Sequence, residues 1–388
     1  MERWKYAAAG AVVALAGCGG SSDGADTTPR SVVSSVKVFG DSVADSGTFG
    51  YKVTIQSADP ANPFLIFPER IAANFGVGQL CSYYAYTNGT FRANAACTNY
   101  AVSGGRVNNL TNTEAPGIAI PFSIPFQLAA GSASLQPSDM AIIDGGSNDL
   151  LDIFGAYLNA GTPSGLAAYQ TALATLLPAS TLSPLLGSTT PASLAAAGNA
   201  YAQALAQALV ASVNTNVISR GVGKVVVVNS SDFTKTPRVQ AILASVAQAS
   251  GTARRDAAQA TALAWIQTFN TTLVQSLANT RAMVFDFFTE ANRIYDDPAQ
   301  FVITNVTTPA CPRVSGGVDP LTGQPSLYFA PTVAACNTAS MSANVPLGAT
   351  PGEWWKGYYF SDNFHPSPKL HQLIAQAMSV QMARAGWL

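Results

Sequence analysis

The chain predicts a three-layer α/β/α domain with a central, mostly parallel sheet, on three observations. Short apolar runs at Val36–Phe39, Met140–Asp144, Val225–Asn229 and Met283–Phe287 alternate with longer stretches of helical pattern, as right-handed strand–helix–strand units do. Val225-Val226-Val227-Val228 is apolar without a break, which suits a strand covered on both faces. Finally, 388 residues with 48% hydrophobic and 11% charged content suffice for one large core, and no internal repeat or second core is visible.

At the amino end, Met1 to Tyr6 carries two cations and precedes an apolar run, Ala7 to Ala16, too short to span a bilayer as a mature helix. Residues 1–17 therefore read as a signal peptide. The run closes in Leu15-Ala16-Gly17-Cys18, which resembles the lipobox of bacterial lipoproteins; an ordinary secretory signal with a chance cysteine is the alternative. The resemblance implies lipidation of Cys18, a membrane partner held through that lipid anchor and, with Gly19 in place of Asp after the cysteine, display on the outer membrane or surface of a Gram-negative cell. Residues 18–31, rich in Gly, Ser, Asp and Thr, read as a flexible tether, leaving 32–388 as the folded domain.

Beyond Cys18 the chain holds Cys81, Cys97, Cys311 and Cys336, an even set that fits an exported protein. Of three possible pairings, the local ones, Cys81 with Cys97 and Cys311 with Cys336, close short loops and are expected. A zinc site is disfavoured, because neither pair has metal-ligand spacing and the chain has two histidines. A net charge of −1 supplies no field to gather phosphates, so nucleic acid is not an expected partner.

Along the domain, Val36–Phe39 is the first strand and Phe67 to Gly76 a helix with Pro68 in its first turn. Thr98 to Val102 reads as a short strand entering Ser103-Gly104-Gly105, and Met140–Asp144 as another closing on Gly145-Gly146-Ser147-Asn148-Asp149. Residues 150–219 are rich in Ala and Leu and read as helices packed on the sheet, with a cap over a cleft as the alternative. Val225–Asn229 is the clearest buried strand, a long helix covers about Ala253 to Leu277, and Met283–Phe287 is the last strand. A loop-rich segment, Asn305 to Thr350, holds the second cysteine pair, and Pro368 to Ala385 closes the chain as a helix.

Four turns carry chemistry. The first strand runs into Gly40-Asp41-Ser42, where a sharp turn can lift the Ser42 hydroxyl into a cleft at the carboxyl edge of the sheet. Near the end, Ser-Asp-Asn-Phe-His-Pro sets Asp362 three residues before His365, so the carboxylate can fix the tautomer of an imidazole base. His371 reads as a surface or satisfied residue of the final helix. For the oxyanion that forms when a serine attacks a carbonyl, the candidate donors are the Ser42 and Gly104 backbone N–H groups and the Asn148 amide.

Together these turns resemble the SGNH or GDSL-type hydrolases from Val36 to the carboxyl terminus. The matching blocks are Phe39-Gly40-Asp41-Ser42 with Asp45-Ser46-Gly47; Asn99-Tyr100-Ala101-Val102-Ser103-Gly104; Gly146-Ser147-Asn148-Asp149; and Asp362-Asn363-Phe364-His365-Pro366. The resemblance implies a flavodoxin-like fold, Ser42 as nucleophile, Gly104 and Asn148 as oxyanion donors and Asp362 with His365 as the rest of a triad. Two departures are visible: Val43 replaces the usual Leu, and Gly104-Gly105 leaves open which amide faces the oxyanion. Val228-Asn229 with Asp232, and Tyr295-Asp296-Asp297 ahead of Cys311, look like the lecithinase, hemolysin and outer-membrane esterase branch.

The expected chemistry is carboxyl-ester hydrolysis through an acyl-enzyme on Ser42, with no metal or organic cofactor and an ester or lipid as substrate. Short to medium acyl esters come first; a phospholipase or lipid acyltransferase on the same site is the alternative. Trp354 and Trp355 lead into the His365 loop and are candidates for contacting an acyl group, or equally for packing. A surface-binding lipoprotein without catalysis is the rival from another class; it predicts a missing catalytic side chain, and none is missing.

Overall fold

The computed structural model describes residues 32–108, 121–311, 336–345, 348, 350, 352 and 354–388. Residues 1–31, with the stretches read as signal and tether and Cys18 between them, lie outside the described residues, as does much of the segment read as loop-rich. The architecture is a parallel four-stranded sheet between two helical layers. Strand β1 (Val36–Phe39) pairs with β4 (Met140–Ile143), β4 with β5 (Lys224–Val228) and β5 with β6 (Ala282–Phe285), giving the order β1-β4-β5-β6. A separate hairpin, β2 (Tyr84–Thr87) and β3 (Thr90–Ala93), stands beside it.

The two-residue period of a strand sorts the core. Val36, Val38, Met140, Ile142, Val226 and Val228 face a cluster made with α1 (Phe67–Asn74), α9 (Phe287–Asp296) and the last helix, α11 (Pro368–Arg384). Phe39, Ala141, Ile143, Val225 and Val227 face the other layer, made by α2 (Ile124–Ser132), α3 (Ser147–Asn159), α6 (Pro191–Asn216) and α8 (Thr252–Leu277). Both faces of the sheet are thus sealed, which is why β5 tolerates no polar residue between Val225 and Val228.

Within residues 150–219, α6 belongs to that core. Its Tyr201, Leu205 and Leu209 are fully buried, and Trp265 on α8 packs on Gly198 and donates its indole N–H to Ala195 O at 2.9 Å. Between α3 and α6, α4 (Pro163–Ala174) buries Tyr169 and Leu173, whereas α5 (Ala179–Leu185) buries nothing. Between β5 and α8, α7 (Pro237–Ser250) buries Val239, Ile242 and Leu243.

Thr98 to Val102 runs along the outer edge of β1 without forming a full strand. Val38 N–H donates to Thr98 O, Tyr100 N–H to Val38 O and Val102 N–H to Gly40 O, at 3.1, 2.7 and 3.1 Å. The Asn99 side chain supplies the other bonds, donating to Ala44 O and accepting from Ala101 N–H, so side chain replaces ladder there. Met283–Phe287 is corrected similarly: the strand ends at Phe285 because Asp286 caps α9, accepting from Thr289 N–H.

Cys81 is bonded to Cys97 and Cys311 to Cys336, the two local pairs. The second joins a small cluster with Ile55, Met341 of α10 (Thr338–Ala343) and Trp355. Among the described residues no helix is long and apolar enough to cross a membrane.

Candidate active site

Ser42 owes its position to the turn that ends β1. Gln127 on α2 clamps Gly40, its Oε1 accepting Gly40 N–H at 2.7 Å and its Nε2 donating to Gly40 O at 3.0 Å. The Asp41 carboxylate accepts Val43 N–H at 3.0 Å, a side-chain turn that presents Ser42 between them. The Ser42 Oγ lies 2.8 Å from His365 Nε2.

The His365 loop is locked by its own carboxylate. Asp362 Oδ1 accepts the N–H groups of Phe364 and His365 at 2.8 and 2.7 Å, and Ser361 N–H donates to His365 O at 2.9 Å. His365 Nδ1 then lies 2.8 Å from Asp362 Oδ2 and 2.9 Å from Oδ1. A carboxylate accepts only, so Nδ1 carries the proton and Nε2 is left bare to accept from the Ser42 hydroxyl. Burial works to raise the Asp362 carboxyl, but the His365 charge, the ring hydrogen bond and the two backbone N–H groups together hold it below the ordinary carboxylate value. It is an anion placed to orient an imidazole.

The second turn packs backbone to backbone on the first. A Cβ on Gly105 would stand 2.5 Å from Gly40 O, so a side chain there would push the two turns apart. Gly104 has a φ of 88°, and Gly105 N–H donates to Val102 O at 2.8 Å. That bond settles which amide is open: Gly105 is committed, whereas among the described residues neither Gly104 N–H nor Ser42 N–H meets an acceptor. Arg106 holds the turn, donating from Nη1 to Gly104 O at 2.6 Å while its Nε and Nη2 grip Asp152 at 2.5 and 3.1 Å.

Asn148, at the start of α3, touches both turns. Its Nδ2 donates to Gly105 O at 3.0 Å and, at a long 3.3 Å, toward Asp41 Oδ2. Two buried carboxylates stitch the same blocks. Asp45 accepts from Gly47 and Thr48 N–H and from Ser103 N–H and Oγ–H, tying the first turn to the second. Asp149 accepts from Val107 and Asn108 N–H, tying the third turn to the second, and burial pushes its carboxyl up to about 7.

The structure thus brings Ser42, Asp362 and His365 into one hydrogen-bonded relay, with Gly104 and Asn148 beside it. Trp354 and Trp355 are not brought there. Trp355 is buried beside the second disulfide, Trp354 donates its indole N–H to Met341 O at 3.0 Å, and both line a cleft that no relay residue lines. A cavity bounded by Asp41, Asp144, Val43 and Phe364 holds only about 40 Å³, too little for an acyl chain.

Gln127, Arg106 and Asp144 escaped sequence reasoning. A lone Gln within Ile124-Pro125-Phe126-Gln127-Leu128 was the available signal for the first; Asp144 read as the polar end of a strand. Among the described residues no group of three or more His, Cys, Asp or Glu side chains is arranged to hold a metal ion.

Comparison with known proteins adds three findings. The family model for GDSL-like lipase/acylhydrolase matches residues 36–378. An extracellular lipase from Streptomyces rimosus, of solved structure, is 15% identical over 89% of this chain and 98% of its own, with a TM-score of 0.36. No curated protein matches the chain. With the family model running from β1 into α11 and enclosing all four turns, the chain belongs to the GDSL-like lipase/acylhydrolase family and is an esterase or lipase.

Proposed function

We propose that the protein is a serine esterase that cleaves carboxyl esters through an acyl-enzyme on Ser42. The observation that carries this reading is the unbroken relay Ser42 Oγ to His365 Nε2, and His365 Nδ1 to Asp362. His365 takes the Ser42 proton as Oγ attacks the ester carbonyl. The carbonyl oxygen becomes an oxyanion between the open Ser42 and Gly104 N–H groups, and Asn148 exchanges its long contact with Asp41 for this stronger acceptor. Collapse expels the alcohol, which leaves with the proton from His365. A water then repeats the sequence on the acyl ester, its proton passing through His365 back to Ser42, and the free acid departs.

Short to medium acyl esters are the proposed substrates, and the stretches around Asp232 and Asp296 support the lecithinase, hemolysin and outer-membrane esterase branch. We read residues 1–17 as signal, Cys18 as the lipidated first residue, 18–31 as tether and 32–388 as enzyme; the two disulfides fit an oxidising, exported setting.

A p-nitrophenyl ester series of increasing acyl length, run beside a phosphatidylcholine, tests the reading on wild type and Ser42→Ala. Wild type should prefer the short to medium esters, and the variant should lose about 10⁴-fold or more in kcat with an unchanged circular dichroism spectrum. Turnover retained by Ser42→Ala would remove the assignment, and a preference for the phospholipid would shift it to a phospholipase.

A further inference from the structure

A second cleft, of about 750 Å³, opens where the start of α11 meets α1 and the Trp354–Gly357 turn. Neither Ser42, Asp362 nor His365 lines it. Its described lining includes three cations, Arg70, Lys356 and Lys369, and no acid, in a chain whose net charge is −1. The half-buried Arg70 guanidinium has one bond, from Nε to Leu65 O, and among the described residues it meets no carboxylate within ion-pair distance. Burial accordingly lowers its affinity for a proton, with Glu69 acting the other way. Lys369 also has no hydrogen-bond or ion-pair partner among the described residues.

Three further features point the same way. Lys369 and Pro368 stand in the first turn of a 17-residue helix, whose positive end favours an anion. Trp355 lines the cleft at 4% exposure, and among the described residues its buried indole N–H finds no acceptor. A buried donor without a partner is destabilising, and a ligand oxygen there would relieve it. The remaining wall sets Phe64, Val302, Trp354 and Tyr358 among neutral polar side chains, with Trp354 edge-on to Tyr358 at 5.2 Å between centroids.

We propose that this cleft is a binding site, separate from Ser42, for an anionic amphiphile: one carboxylate or phosphate head on an apolar body. The head pairs with Arg70 and Lys369, an oxygen of the head accepts from Trp355 Nε1, and the body lies along Trp354 and Tyr358. A fatty-acid anion and a phospholipid-type monoester share this chemistry.

The test uses the full-length protein carrying Ser42→Ala, so it stands whether or not Ser42 is the nucleophile. Calorimetric titrations with dodecanoate, dodecyl phosphate, dodecanol and inorganic phosphate, each below its micelle concentration, should show one-to-one binding of at least one anionic amphiphile. The tighter of the two identifies the head group. Adding Arg70→Gln with Lys369→Gln should weaken it about tenfold or more, and Trp355→Phe, which removes only the N–H, should weaken it severalfold. Should the double variant fold poorly, Lys369→Glu alone on the cleft rim should still weaken binding. No binding of either amphiphile, affinity unchanged in these variants, or dodecanol or inorganic phosphate binding as tightly as the amphiphiles would overturn the proposal.

Discussion

Asp144 sits behind the oxyanion donors. Its carboxyl lies against that of Asp41, and Asp41 in turn reaches Asn148. Burial raises both carboxyls, and the Asp41 charge raises Asp144 further. Asp144 Oδ2 is buried without a partner among the described residues, a setting that suits an acid and penalises an anion. The pair should therefore hold a shared proton on Asp144, leaving Asn148 to face one negative charge where an oxyanion must form beside it. Asp144→Asn, which keeps a neutral donor, should cost less than about tenfold in kcat, whereas Asn148→Ala should cost about 10²- to 10³-fold. A carboxyl whose folded affinity for protons is raised contributes stability at low pH and loses it as pH rises. Followed upward from about pH 4, where an unfolded carboxyl titrates, the melting temperature of wild type should lose ground to that of Asp144→Asn, and parallel curves would exclude the shared proton.

Among the elements, α1 and α11 meet over His371. The sequence pattern put this residue on the surface or with its needs met; it is 1% exposed, and only one of its two ring nitrogens is bonded among the described residues. Its Nδ1 accepts Phe67 N–H at 3.3 Å, so the proton sits on Nε2, which has no partner among the described residues. Burial, then the charges of Arg70, His365 and Lys52, lower its pKa to about 3. The unfolded chain binds that proton near the ordinary imidazole value of about 6.5, so stability present above it is lost as pH falls toward 3, by on the order of 4 kcal/mol. His371→Phe keeps the ring against Phe67 and removes the titration. Its melting temperature should fall less than that of wild type between pH 7 and pH 4, and an equal fall would contradict the account.

The same helix shows what was legible. Its extent, like those of α1, α8, β1, β4 and β5, follows from local periodicity and a cap or proline. The β2–β3 hairpin, α2 and α7 were missed because their patterns are weak locally and their places are set by packing on α8, β1 and the first disulfide. Ser42, Gly104, Asn148, Asp362 and His365 were legible because turn residues carry their chemistry in type and order. Which amide is open at Gly104-Gly105, and what Gln127 and Asp144 touch, depend on approaches between distant segments.

For the whole molecule, the direction of β1 separates anchoring from chemistry. The described chain starts at Val32, 84% exposed, and Val33 is already buried in the core at the amino edge of the sheet. Four strand residues later, roughly 13 Å on, the chain delivers Ser42 at the carboxyl edge. Among the described residues, the three hydrophobic clusters and the bonds named above for the candidate site join residues of 32–388. A chain beginning at residue 32, exported behind a cleavable leader so that both disulfides form, should therefore keep kcat/KM for a soluble p-nitrophenyl ester within about twofold of the full protein. Cys18→Ala in the full chain should instead move the protein from the membrane fraction to the soluble one, because a single thiol is the proposed attachment point. A truncated chain that folds but loses turnover would show that the tether takes part in the site; Cys18→Ala protein that stays on the membrane would show that something other than a lipid on this cysteine holds it there.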